Sequence, residues 1–144
     1  MMYANSVHLL DYVNILGRGK IKTVQTNISK EKKQSFLCSN IIMTSGDKVN
    51  YNAIWNTPGR WGIRIFTDNF FYELSPLETL KIFDLKKLKT KKFKNGINDI
   101  NFKPGFMLQA IDFLKMIKKK PHSLVDIEDN FNTTKLISKI YENF

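Results

Sequence analysis

Asp47–Asn69, DKVNYNAIWNTPGRWGIRIFTDN, decides the fold class. Val49, Tyr51, Ala53 and Trp55 alternate with Lys48, Asn50, Asn52 and Ile54, which places the first set on one face of a strand. Thr57-Pro58-Gly59-Arg60 then has the residues of a turn, because proline presets φ at the first central position and glycine tolerates positive φ at the second. Trp61, Ile63 and Ile65 resume the alternation, so the segment predicts a hairpin with a tryptophan on each arm.

Strand signals continue on both sides. Upstream, Ile21–Ile28 and FLCSNIIM (Phe36–Met43) are rich in β-branched and apolar residues and are joined by the charged SKEKKQS turn. Downstream, FFYEL (Phe70–Leu74) is broken by Ser75-Pro76, and ETLKIF (Glu78–Phe83) predicts a further strand. The chain ends change period. Val7, Leu10 and Val13 follow a helical repeat that Gly17 and Gly19 close. Phe106, Ala110, Phe113, Leu114 and Ile117 mark a second helix, ended by Pro121. Asp126 reads as the N-cap of a third, with acids in its first turn where the helix dipole favours them. A run of strands between terminal helices predicts an α+β fold, an open, mostly antiparallel sheet of five or six strands with helices on one face. At 144 residues the expectation is one domain, residues 1–144.

The formal charge of +10 raises the question of a polyanionic partner. Its distribution argues against nucleic acid: lysines cluster in LKKLKTKKFKNG (Leu85–Gly96) and KMIKKKP (Lys115–Pro121), while Arg18, Arg60 and Arg64 are the only arginines. Base readout and bidentate phosphate grips favour arginine, so these runs read as solvated loop and helix ends. Cys38 is the only cysteine, which excludes an internal disulfide and a cysteine-based zinc site within one copy. No apolar run is long enough for a membrane span and no signal-peptide pattern is present, so a soluble, cytoplasmic chain is expected.

Five segments in order, SVHLLDYVNILG, WNTPGRWGIRIFT, YELSPLETLKIFD, FKPGFMLQAIDFL and TTKLISKIYEN, resemble the C-terminal domain of the Gfo/Idh/MocA oxidoreductases, and together they span nearly the whole chain. The resemblance implies a substrate-binding and oligomerisation domain of an NAD(P)-dependent sugar or nucleotide-sugar oxidoreductase. It implies a separate N-terminal Rossmann domain, in cis or in trans, to hold NAD or NADP, and a homo-oligomer formed through the open sheet. The sequence contains no G-x-G-x-x-G, and Gly17-Arg18-Gly19 follows a helix where the fingerprint would sit between strand and helix. It also has no Glu-Lys-Pro segment, where the family keeps its catalytic lysine. No cofactor is therefore expected on this chain alone.

His8 matches the family histidine that contacts the hydroxyl undergoing oxidation. The role suits the residue, since oxidation of a carbinol needs its hydroxyl proton removed and imidazole is the usual group for that work. The competing reading is a histidine packed against the domain with its ring satisfied by a carbonyl. Many members carry an aspartate four residues before this histidine, where this chain has Ala4, and the adjacent Asn5 offers an amide to a sugar hydroxyl. Asp11 either orients His8 and contacts substrate or holds its helix to the following loop. His8 is thus the catalytic candidate, with Asn5 and Asp11 as substrate contacts beside it. Tyr51, Trp55, Arg60 and Trp61 read as packing before sugar stacking, and Lys103 as part of a helix start. A catalytically silent module that associates through its sheet is the rival function.

Overall fold

The computed structural model describes residues 7–30 and 35–142. The order of elements is α1 (Val7–Leu16), β1 (Ile21–Lys30), β2 (Ser35–Met43), β3 (Lys48–Trp55), β4 (Ile63–Phe66), β5 (Phe70–Leu74), β6 (Leu80–Asp84), β7 (Lys89–Lys92), α2 (Ile97–Asn101), α3 (Phe106–Ile117) and α4 (Ile127–Tyr141). The fold is α+β, and all strand pairs are antiparallel, as the alternation predicts. The strands number seven and form two sheets, β1-β2-β3 and β4-β5-β6-β7. Two compact units follow this division, one from the segments Met1–Pro58 and Val125–Phe144 and one from Gly59–Leu124.

The tryptophan hairpin does not form. β3 pairs with β2, β4 pairs with β5, and the two strands belong to different sheets. Residues 56–62 between them carry no strand, and Asn56 already has φ 61°. Seven residues exceed the two to five that close a hairpin, so Pro58-Gly59 serves a longer connection. Two further elements lie where the sequence reads as loop. β7 consists of Lys-Thr-Lys-Lys with every side chain exposed, and as an edge strand it buries no face that would leave an apolar period. α2 has five residues and no buried side chain.

In the first unit the inner sheet face is built in rows. Ile28, Leu37 and Ala53 align across β1, β2 and β3, then Thr26, Ser39 and Tyr51, then Val24, Ile41 and Val49. α1 and α4 cover this face: Leu10 and Val13 from one and Leu136, Ile137 and Ile140 from the other join Leu37, Ile41 and Met43 in the buried core. The polar row is satisfied internally. The Thr26 and Ser39 hydroxyls lie 3.0 Å apart, and the Tyr51 and Tyr141 hydroxyls share a hydrogen bond of 3.0 Å. Asp126 caps α4 as expected, accepting from the Asp129 backbone N–H at 2.8 Å.

Gly17 ends α1. Its N–H donates to the Val13 carbonyl at 3.0 Å, and a Cβ there would lie 2.6 Å from that same oxygen. The next residue anchors the turn: Arg18 grips Asp47 through its guanidinium and its backbone N–H, the latter at 3.0 Å. The Arg18 contacts hold the Asp47 carboxyl well below its ordinary value of 3.8. A depressed carboxylate stabilises the fold above its unfolded-state value and ceases to do so as pH falls toward the folded-state one. Asp47→Asn is therefore expected to lower the unfolding midpoint at neutral pH, and the gap from wild type narrows as pH drops from about 5 to about 2. Denaturation curves across that interval measure it; a gap independent of pH would contradict the ion pair.

Candidate functional site

α1 positions the candidate residues through its two buried side chains. Leu10 and Val13 face the core, which fixes the rotation of the helix and leaves His8, in its first turn, exposed. Asn5 and Ala4 lie outside the described residues.

Asp11 is half-buried and faces the α4 side. Its Oδ1 accepts from the Thr133 hydroxyl at 2.7 Å, and the Thr133 oxygen accepts from the Asn14 amide at 2.9 Å. Thr133 is 1% exposed, so this Asp11–Thr133–Asn14 chain is a near-buried clamp between α1 and α4. It holds the helix that presents His8. Thr133 and Asn14 were not among the residues the sequence suggested, because their pairing spans 119 residues and leaves no local spacing. The trace that exists is a threonine on the apolar stripe of α4, three and four residues before Leu136 and Ile137. Thr133→Val keeps the shape and removes the hydroxyl, leaving a carboxylate oxygen and an amide unpaired. The expected loss is about 1–3 kcal/mol by denaturant titration, with Thr133→Ser recovering most of it.

The other candidates separate. Tyr51 is buried and Trp55 half-buried, its ring 6.5 Å from that of Tyr141, which makes both part of the core layer. Arg60 and Trp61 are exposed in the β3–β4 connection. Lys103 lies over the Phe106 ring at 4.9 Å, and the Gly105 N–H at the start of α3 donates to Asp99 at 2.9 Å. An aspartate already serves that helix start. His122 Nδ1 accepts from the Leu124 N–H at 3.3 Å within its own turn. Among the described residues no cluster of three histidine, cysteine or acidic side chains could hold a metal, and no helix is long and apolar enough to cross a membrane.

A dinucleotide does not fit the glycines present. Gly17 terminates a helix, Arg18 is held by Asp47, and Gly19, at φ 79°, sits against Thr44, where a Cβ would lie 2.4 Å from the hydroxyl. This turn offers no helix N-terminus to a pyrophosphate.

No protein-family model matches the sequence, and no curated protein matches it. Solved structures do. A dehydrogenase from Clostridium difficile superposes with a TM-score of 0.79 at 14% identity over 99% of this chain and 48% of its own. A dehydrogenase from Chromobacterium violaceum gives 0.78 at 16% identity over 95% and 43%. A protein provisionally named an NADPH-dependent oxidoreductase, from Desulfitobacterium hafniense, gives 0.71 at 12% over 96% and 43%. The chain thus has the fold of one part of a dehydrogenase and spans less than half the length of these neighbours. The resemblance read from the five segments holds at the level of the fold.

Proposed function

We propose that this chain is the substrate and oligomerisation domain of an NAD(P)-dependent sugar or nucleotide-sugar oxidoreductase, with His8 as the residue that takes the hydroxyl proton. The observation that carries this reading is the exposed imidazole at the start of a helix whose rotation is fixed by Leu10, Val13 and the Thr133 clamp. The names of the fold neighbours support the class of reaction, as does the resemblance at His8.

The chemistry assigned to the chain is limited to its own groups. A neutral His8 nitrogen accepts the proton of the carbinol as the carbon is oxidised, and the imidazolium then releases it to solvent. Asp11 acts through the clamp, as a positioning residue, and Asn5 is the proposed amide contact to a sugar hydroxyl. The acceptor of the hydride is held by a separate nucleotide-binding domain, in cis or in trans, as the family resemblance implies. Subunits associate through the open sheet. Turnover of candidate sugars, followed as NAD(P)H absorbance after adding the nucleotide-binding half, tests the proposal, and the absence of turnover with every sugar class would remove it.

A further inference from the structure

β7 is the last strand of its sheet, and its outer edge has no partner in that sheet. The phase of the ladder says which groups lie on that edge. The Phe93 N–H donates to the Leu80 carbonyl at 2.9 Å, and the register continues through Ile82↔Lys91 and Asp84↔Lys89. Hydrogen-bonded pairs alternate along an antiparallel ladder, so Lys89 and Lys91 turn their N–H and C=O groups to β6 while Thr90 and Lys92 turn theirs outward. All four residues are exposed, and the whole sheet belongs to the unit Gly59–Leu124.

Charge narrows what this edge accepts. Leu85–Gly96 holds six lysines and no acid. Asp84 is committed to its own turn, accepting from the Lys86 and Lys87 N–H groups at 3.0 and 3.1 Å. Among the described residues Lys89 and Lys92 have no carboxylate partner. Lysines on an edge oppose pairing with a like strand. The other edge strands, β1, β3 and β4, contain no acidic residue, so a second copy of this chain brings no carboxylate to β7. The two faces of the edge also differ. Lys89 and Lys91 share one, whereas Thr90 stands opposite Phe83 on the other, where Phe71, Glu73, Lys81, Phe83 and Thr90 line a shallow hollow. The Glu73 carboxylate there is held by Lys81 at 3.2 Å and Arg64 at 3.3 Å, which leaves the two phenylalanines as its apolar wall.

We infer that β7 accepts a further strand from an acidic partner, an extended peptide segment in which acidic and apolar residues alternate. Its main chain pairs with Thr90 and Lys92, its carboxylates lie beside Lys89 and Lys91, and its apolar side chains fall on the Thr90 side, toward Phe83 and Phe71. A nucleic acid fits less well, because Leu85–Gly96 has no arginine to grip phosphate and the outward N–H and C=O groups find no strand to pair with. The inference is independent of the oxidoreductase reading.

Fluorescence anisotropy of the whole chain with a labelled Glu-Val-Glu-Val-Glu-Val-Glu peptide tests it. Saturable binding is expected, at least about tenfold tighter than that of the Lys-Val counterpart at low salt. Of two versions N-methylated at the valines or at the glutamates, each lacking the N–H groups of one edge only, one is expected to lose binding and the other to keep it; equal binding of both overturns the inference. Thr90→Pro removes an outward N–H that β6 does not use, so it is expected to weaken the peptide about tenfold while the sheet persists. Lys89→Glu/Lys91→Glu, confined to exposed side chains, is expected to weaken it as much without touching the main chain. By hydrogen exchange the Thr90 and Lys92 amides are expected to be unprotected in the free chain and slowed by the peptide. Protection already present in the free chain means that the edge is covered, tighter binding of an oligothymidylate than of the peptide assigns the lysines to nucleic acid, and no saturable peptide binding leaves them as a guard against strand pairing. Each of these three results overturns the inference.

Discussion

His8→Ala is expected to lower turnover of the completed oxidoreductase by about 10²–10⁴, the range that a positioned acid–base group supplies. The fold should not register the change. His8 is exposed and Leu10 and Val13 carry the helix packing, so the unfolding free energy is expected to move by less than about 0.5 kcal/mol. A substitution that keeps a hydrogen-bonding side chain separates a proton-transfer role from a structural one: His8→Gln is expected to lose turnover as His8→Ala does. Thr133→Val is expected to lower turnover less than His8→Ala while lowering stability more, because it loosens the helix without removing the imidazole. Equal turnover in wild type and His8→Ala, at every pH, would show that the exposed ring takes no part in the chemistry.

The same helix shows what a sequence can disclose. The spacing of Val7, Leu10 and Val13 places His8 on a helix, while the exposure of its ring, which the structure gives, was not legible from that spacing. The direction of Asp11 was not legible, because its partner is fixed by how α4 returns over the sheet from 122 residues away. β3 was legible face by face: Val49, Tyr51, Ala53 and Trp55 all point inward. The partner of β3 was not, since alternation specifies faces and leaves pairing to loop length and to competition between neighbouring strands. β2 fills one edge of β3, and β5 takes β4 through a three-residue turn, Thr67-Asp68-Asn69, that is shorter than the seven residues linking β3 to β4. β7 was invisible for a related reason, being a lysine edge strand with no buried face.

The central strand provides the second large effect. Leu37, 0% exposed, lies between Ile28 and Ala53 and faces the layer of α1 and α4. Leu37→Ala removes buried atoms and leaves a cavity that a three-stranded layer held by two helices closes only in part. The expected cost is about 2–5 kcal/mol, a large share of the roughly 5–15 kcal/mol available to a domain, and a fall in midpoint on the order of 10 °C. Phe36, its neighbour in sequence, points to the opposite face and is 37% exposed, so Phe36→Ala is expected to cost under about 1.5 kcal/mol although it deletes more atoms. Ile41→Ala and Ile42→Ala repeat the contrast two rows along, with Ile41 1% and Ile42 39% exposed. The comparison is sensitive to register, because a slip of one residue exchanges the two faces of β2 and reverses both inequalities. Larger losses at Phe36 and Ile42 than at Leu37 and Ile41 would mean that the sheet turns its other side to the helices, and α1 would then present a different set of residues with His8.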